Sequence, residues 1–105
     1  MKVIDLDEKK FEEMVINNKE EMLVDFYADW CGPCKMMALI LESVAEDDNS
    51  FKVARINTDD ADELSRKYGV MSIPNFKFFK GGQVVDEALG AMPATALTNK
   101  LDQLL

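Results

Sequence analysis

The residues from Met22 to Ala28 form a nearly continuous apolar run that is rich in strand-forming side chains. A strand with one buried face alternates apolar and polar residues, whereas a strand inside a parallel sheet is covered on both faces and stays apolar along its length. The run therefore predicts a central strand with helices packed on both sides. Asp25 is the exception, because it places a carboxylate in the middle of this run.

Four other segments have the composition of strands, and a glycine pair indicates how the last two are joined. Gly81 and Gly82 suit the tight turn of an antiparallel hairpin. The predicted strands are Lys2–Asp5, Phe51–Asn57, Asn75–Lys80 and Gln83–Leu89.

Four other segments, three between these strands and one after the last, repeat apolar residues at helical spacing. Asp7 is the expected N-cap of the first, Pro33 suits the first turn of the second, and Gly69 ends the third. The order β-α-β-α-β-α-β-β-α predicts one α/β domain over residues 1–105, with helices on both faces of a mixed sheet. The predicted apolar helix faces are Phe11, Met14 and Val15; Met37, Ile40, Leu41 and Val44; Ala61, Leu64 and Tyr68; and Leu97, Leu101 and Leu104.

Charge and hydropathy exclude several classes of partner. The 105 residues include 20 acidic and 12 basic side chains, for a net charge of -8, and the basic ones are scattered rather than gathered into a phosphate-binding stripe. The N-terminus lacks the apolar core of a signal peptide, and no stretch approaches the eighteen or so apolar residues of a membrane span. We expect a cytoplasmic protein that binds neither nucleic acid nor membrane.

Cys31 and Cys34 are the two cysteines of the chain, and their spacing admits three interpretations. A closed zinc site needs four Cys or His ligands, and because the chain has no histidine only a dimer sharing one metal would supply them. A structural bridge would close a very short loop and contribute only about 2 kcal/mol. In the third interpretation, a redox dithiol, the predicted helix start favours a thiolate through its unpaired N–H groups and dipole, and Lys35 adds a positive charge.

The redox interpretation gives the two sulfurs different roles. Cys31 precedes the helix and is expected to be accessible, so it is the candidate nucleophile, whereas Cys34 lies in the first turn and is the candidate resolving thiol. Asp25 is expected to be desolvated, which raises its pKa. Two interpretations of Asp25 stay open, a structural carboxylate or a general base that takes the Cys34 proton, directly or through water.

Residues 24–36, Val-Asp-Phe-Tyr-Ala-Asp-Trp-Cys-Gly-Pro-Cys-Lys-Met, closely resemble the active-site segment of the thioredoxin family. The resemblance implies a five-stranded mixed sheet flanked by four helices, and a protein-disulfide reductase that forms a Cys31–Cys34 disulfide as it works. Further matches follow in the family's order at Ala54–Asn57, Tyr68–Val70, Ile73–Pro74, Phe79–Gly82 and Gly90–Ala91.

The resemblance also implies partners and a docking surface. Electrons would come from a separate thioredoxin reductase and pass to proteins such as ribonucleotide reductase, peroxiredoxins and methionine sulfoxide reductases, with a monomeric chain that binds no cofactor itself. Pro74 would follow a cis peptide bond, and the Ile73 backbone would pair with an extended substrate strand. The implied contact surface consists of Trp30, Gly32, Pro33, Ile73, Gly90 and Ala91.

Three residues depart from the family's usual pattern. Leu39 replaces a proline that kinks the active-site helix, so this helix is expected to be straighter. Asn75 stands where threonine is usual, and Arg55 stands where many relatives have a lysine near the buried aspartate, which affects the tuning of Asp25.

Other residues near the motif have less specific interpretations. Met36, Met37, Met71 and Met92 suggest an adaptable docking surface, but Met37 is expected in the core, and Met71 and Met92 are the better surface candidates. Asp29 is interpreted as a solvated charge.

Two other functions compete with disulfide reduction. A binding module of the same fold would carry an incidental dithiol, and a disulfide oxidase or isomerase would run the exchange in another direction. The intact cysteine pair disfavours the first. Gly32-Pro33, the missing histidine and the missing signal sequence disfavour the second.

Overall fold

The apolar run forms the middle strand of a five-stranded sheet in the computed structural model, which describes residues 2–47 and 50–104. The spatial order is β1-β3-β2-β4-β5; the first three are parallel, and β4 and β5 are antiparallel additions. In this register Asp25 lies opposite both Arg55 and Phe76. The strands are β1 Val3–Leu6, β2 Met22–Tyr27, β3 Lys52–Asn57, β4 Asn75–Lys80 and β5 Gln83–Leu89.

Four helices flank the sheet, and their start signals are visible in the sequence. Asp7 caps the first, because its carboxylate accepts a hydrogen bond of 2.7 Å from the Lys10 N–H. The first helix continues as a π-helical segment, Glu12–Ile16, and a short 3-10 helix, Thr58–Asp60, follows β3. The helices are α1 Glu8–Phe11, α2 Gly32–Asp47, α3 Asp62–Lys67 and α4 Ala94–Leu104.

The core lies in two layers, one on each face of the sheet. On one face α2 and α4 bury Met37, Leu41 and Leu97 against Leu23 and two β4 phenylalanines, Phe76 and Phe78. On the other face, α1 and α3 cover the sheet with an aromatic group in which the rings of Phe11, Tyr68 and Phe79 lie 5.5 to 5.6 Å apart. Apolar contact on both faces explains why β2 is apolar along its length.

The predicted fold class is confirmed, with small differences at the element ends. The bounds of β4 and β5 agree with the prediction, whereas β1 is shifted by one residue and β2 and β3 are each one residue shorter. The π-helical and 3-10 segments are not in the sequence prediction. Met1 and Leu105, the ends of the predicted domain, lie outside the described residues. None of the described helices is long and apolar enough to span a bilayer.

Candidate active site

The dithiol segment lies where β2 ends and α2 begins, and Cys31 acts as the N-cap of α2. Its carbonyl accepts the Lys35 N–H at 3.2 Å, and its Sγ accepts the Cys34 N–H, also at 3.2 Å. A serine or aspartate oxygen usually occupies this capping position. Pro33 has no N–H to offer in this first turn, so the Cys34 amide is the donor that reaches the sulfur.

The two cysteines form a disulfide, with their Cα atoms 5.2 Å apart. Cys34 is fully buried, as expected. Cys31 is only 5% exposed, so the expectation of an accessible Cys31 is wrong for the oxidised protein. Ala28 and Ile73 pack beside the two cysteines and cover them.

The segment before β4 closes one side of the disulfide. The Ile73–Pro74 peptide bond is cis, as the resemblance implies, and the Ile73 carbonyl oxygen lies 3.9 Å from Cys31 Sγ. The Gly90 N–H donates to the Pro74 carbonyl oxygen at 2.9 Å, and Gly90 has a φ of +83°, a conformation that favours glycine. These contacts bring together three segments that are distant in the sequence.

Asp25, in the middle of β2, is fully buried, and Arg55 is its ion-pair partner. The Arg55 Nε donates to Asp25 Oδ2 at 3.3 Å, while Asp25 Oδ1 has no hydrogen-bond partner within residues 2–47 and 50–104. The Arg55 guanidinium lies 3.7 Å from the centroid of the Tyr27 ring, so the cation is stacked as well as paired.

Burial raises the pKa of Asp25 to about 6, because removing the carboxylate from water disfavours its charged form. The positive charge of Arg55 and the hydrogen bond from it act in the opposite direction and lower the pKa. Desolvation is the larger effect. Asp25 therefore ionises close to neutral pH, where a carboxylate is able both to accept and to release a proton.

The predicted contact residues lie around the disulfide with unequal exposure. Trp30 is 71% exposed, Gly32, Pro33 and Ala91 are exposed, Ile73 and Gly90 are half-buried, and Pro74 is buried. Lys35 is exposed and lines a cavity of about 400 Å³ with Tyr27, Asp29 and Arg55.

The methionines divide between surface and core. Met71 is 96% exposed and Met36 is exposed, whereas Met37 is buried, which confirms the assignments of Met37 and Met71. The surface assignment of Met92 is only half right, because this side chain is partly buried against the core and its N–H donates to Met37 Sδ at 3.4 Å.

Two of the residues that depart from the family pattern, Leu39 and Asn75, differ in their exposure to solvent. Leu39 is 74% exposed on α2, which runs without interruption through this position. Asn75 is buried, and its Oδ1 has no partner within the described part of the chain. Nothing in the structure explains the choice of asparagine there.

The segment after β3 contributes residues that the sequence prediction missed. The Trp30 Nε1–H donates to Asp59 Oδ2 at 3.0 Å, and the Asn57 amide donates to Asp29 Oδ2 at 3.4 Å. Asp29 is thus hydrogen-bonded, not merely solvated as predicted. The available signal was Asn57 itself, a residue type that caps helical turns and here caps the 3-10 helix.

A family model described as Thioredoxin matches residues 2–103. The chain belongs to the thioredoxin family. A thioredoxin of Pyropia yezoensis is 41% identical to it over 106 residues, which cover 100% of this chain and 99% of the relative. Thioredoxin 1 of Nostoc sp. is 41% identical over 96 residues, with 90% of each chain covered.

A thioredoxin M-type, chloroplastic, of Pisum sativum is 37% identical over 101 residues, which cover 95% of this chain and 59% of that relative. Together with the bonded cysteine pair, these comparisons make this thioredoxin-family chain a thiol-disulfide oxidoreductase.

Proposed function

We propose that this protein reduces disulfides in other proteins, with Cys31 as the nucleophile. The observation that carries the proposal is the hydrogen bond from the Cys34 N–H to Cys31 Sγ at 3.2 Å. In the reduced protein the same N–H, at the positive end of the α2 dipole, stabilises a thiolate on Cys31. Lys35, on the first turn of α2, adds a second positive charge near this helix end.

The exchange proceeds in two displacements. The Cys31 thiolate attacks one sulfur of the substrate disulfide, and the other substrate sulfur leaves as a thiolate that takes a proton from solvent. Cys34 then gives its proton to Asp25 and attacks Cys31 Sγ. The Cys31–Cys34 bond forms, the mixed disulfide breaks, and the second substrate thiolate leaves. Two electrons have passed from the dithiol to the substrate.

Asp25 suits the role of general base in the second displacement. It is buried, its pKa is raised to about 6 mainly by desolvation, and its Oδ1 is without a partner in the described residues. A base of this pKa is mostly ionised at neutral pH and still takes up a proton readily. Arg55 tunes this base, because its charge favours the ionised carboxylate.

The surface around the disulfide is the docking site for the substrate. The Ile73 backbone lies beside Cys31 and offers a hydrogen-bonding edge to an extended substrate strand. The hydrogen bond from the Gly90 N–H to the Pro74 carbonyl oxygen supports this edge next to the sulfur. The docking surface consists of Trp30, Gly32, Pro33, Ile73, Pro74, Gly90 and Ala91.

The proposed cycle needs a source of electrons and a set of targets. We assign the reduction of the Cys31–Cys34 disulfide to a thioredoxin reductase. The proposed targets are ribonucleotide reductases, peroxiredoxins and methionine sulfoxide reductases. The chain acts as a cytoplasmic monomer and holds no cofactor of its own. The similarity to cyanobacterial relatives supports a cytoplasmic location for this protein. The chloroplastic relative indicates the chloroplast as the alternative location.

Insulin reduction driven by NADPH and a thioredoxin reductase tests the proposal. The wild-type chain is expected to turn over repeatedly, and Cys31→Ser is expected to be inactive. Equal rates for the two proteins would indicate a binding module with an incidental dithiol. A reduction potential as high as that of a strong disulfide oxidase would reverse the assigned direction.

A Cys34→Ser variant tests the order of the two thiols. This variant retains the nucleophile and lacks the resolving thiol, so it is expected to accumulate as a mixed disulfide with the substrate, visible as a covalent adduct by mass spectrometry. Rapid release of reduced substrate by Cys34→Ser would contradict the assignment.

A further inference from the structure

The loops that follow β2 and β3 lie side by side at the active-site edge of the sheet. The two strands are parallel neighbours, and Tyr27 lies opposite Asn57 at their carboxyl ends. The first loop carries Trp30 and Cys31. The second forms the 3-10 helix Thr58–Asp60, whose cap is Asn57.

Three side-chain hydrogen bonds tie the second loop to the first, and we call Asn57–Asp59 the clasp. The Thr58 hydroxyl donates to the Tyr27 carbonyl oxygen at 3.1 Å. The Asn57 amide donates to Asp29 Oδ2 at 3.4 Å, and Asp59 Oδ2 accepts the Trp30 Nε1–H at 3.0 Å. The clasp thus bonds to three of the four residues that precede Cys31.

Asn57 uses both ends of its side chain in this arrangement. While its Nδ2 reaches Asp29, its Oδ1 accepts the Asp59 N–H at 3.0 Å and so fixes the backbone of the residue that holds the indole. Trp30 is 71% exposed, yet its ring is tied at the nitrogen. An exposed side chain without such a bond samples several rotamers and loses this freedom when a partner binds.

We propose that the clasp holds Trp30 in a preorganised position for docking protein substrates, with Asn57 and Asp59 as positioning residues. The proposal rests on the proposed function, the reduction of protein disulfides. The bonds of the clasp end on Tyr27, Asp29 and Trp30, whereas Cys31 Sγ is contacted by the Cys34 N–H and by the Ile73 carbonyl. The clasp therefore acts on docking rather than on the reactivity of the sulfur.

Two substrates separate docking from sulfur chemistry. Insulin is large enough to contact Trp30 during exchange, whereas bis(2-hydroxyethyl) disulfide is small and neutral and needs only the sulfur. The measurement is the second-order rate constant of the prereduced protein with each disulfide. Using prereduced protein avoids a reductase that would itself dock on the same surface.

The variants are Asp59→Ala, which removes the acceptor, and Asp59→Asn, which retains an oxygen acceptor without the charge. Asp60→Ala and Asp60→Asn are the matched controls, because Asp60 is an exposed carboxylate in the same 3-10 helix. We expect Asp59→Ala to slow insulin reduction by about three- to tenfold, the usual worth of one hydrogen bond, and to leave the small disulfide unaffected. Asp59→Asn is expected to restore most of the insulin rate.

Trp30 is the one tryptophan of the chain, so its fluorescence reports on the clasp directly. Time-resolved anisotropy is expected to show a larger amplitude of local indole motion in Asp59→Ala than in wild type, Asp59→Asn or the Asp60 variants. The proposal is overturned if Asp59→Ala slows both disulfides equally, if it matches Asp60→Ala, or if the indole moves no more than before. Failure of wild type to reduce insulin would instead overturn the proposed function.

Discussion

Asp25 and Lys77 are both charged side chains buried in the sheet, and they are partnered differently. Lys77 pairs with Glu87, which lies directly opposite it on β5 and is half in solvent. Asp25 pairs through one oxygen with Arg55, and its other oxygen has no partner in the described residues. Lys77 is paired across two strands, whereas Asp25 is paired through one oxygen only, and its burial raises its pKa to about 6.

The comparison indicates that the pairing of a buried charged side chain determines whether it acts in stability or in proton transfer. A buried ion whose partner is complete is costly to disturb, because removing the partner leaves a desolvated charge. A buried carboxylate whose desolvation is only partly offset by its partner has a raised pKa and exchanges a proton closer to neutral pH, at a cost to stability. The predictions below test this difference, from the largest effect to the smallest.

Replacing Asp25 by Asn is expected to stabilise the protein at pH 7 by up to about 3 kcal/mol. The folded pKa of about 6 lies above the ordinary value of 3.8, so the unfolded chain loses this proton first as pH rises. The cost of Asp25 therefore grows between about pH 4 and pH 6 and stays constant above that. Urea unfolding at several pH values measures it. An equal gain at pH 3 and pH 7 would contradict the assignment of the raised pKa.

Replacing Glu87 by Gln is expected to destabilise the protein by about 1–3 kcal/mol, because Lys77 is left buried without its counter-charge. Lys77→Met with Glu87→Gln removes both charges and is expected to recover most of the loss. Glu63→Gln, at an exposed position on α3, is the control for charge alone. If Glu87→Gln lowers the thermal unfolding temperature no more than Glu63→Gln does, Lys77 does not depend on Glu87 as its counter-charge, and the contrast with Asp25 is wrong.

Arg55→Met is expected to raise the pKa of Asp25 further, because it removes the positive charge and the hydrogen bond that lower this pKa. The ionised fraction at pH 7 then falls, and the resolving step slows by about twofold or more. Arg55→Lys retains the charge and is the matched control. Carboxyl carbon NMR of Asp25 measures the titration directly, and an unchanged or lowered pKa in Arg55→Met would show that Arg55 does not tune the base.

Of the expected changes in stability, that of Tyr27→Leu is the smallest, a loss of about 0.5–1 kcal/mol, because the Arg55 guanidinium loses the aromatic face beside it. Tyr27→Phe retains the ring and serves as the control. Equal losses for the two variants would assign the effect to the Tyr27 hydroxyl rather than to stacking.

The sequence predicted those features that depend on local pattern. The apolar length of β2, the Asp7 cap and the Gly81-Gly82 hairpin each have a short-range cause, and all three are present. The pairing of Asp25 with Arg55 follows from the register of two parallel strands, which the sequence alone does not fix. The family resemblance, rather than any pattern, placed these two residues near each other.

The missed features depend on contacts between distant segments. The clasp joins residues about thirty positions apart, and no spacing rule relates Asn57 to Asp29 or Asp59 to Trp30. Cys31 is covered by Ile73, which lies beyond α3 in the sequence. The π-helical turn at Glu12–Ile16 has the same composition as an α-helix, so periodicity predicts an ordinary helix there.

The rate of the resolving step tests the central claim. The claim is that Asp25, buried and paired through only one oxygen, is the base that takes the Cys34 proton. Prereduced protein is mixed with an equimolar disulfide substrate, and Trp30 fluorescence follows closure of the Cys31–Cys34 disulfide over a range of pH. The account predicts a wild-type rate that rises through about pH 6, and an Asp25→Asn rate that is about a hundredfold lower at pH 7. Closure at the same rate in both proteins, with the same pH dependence, would contradict it.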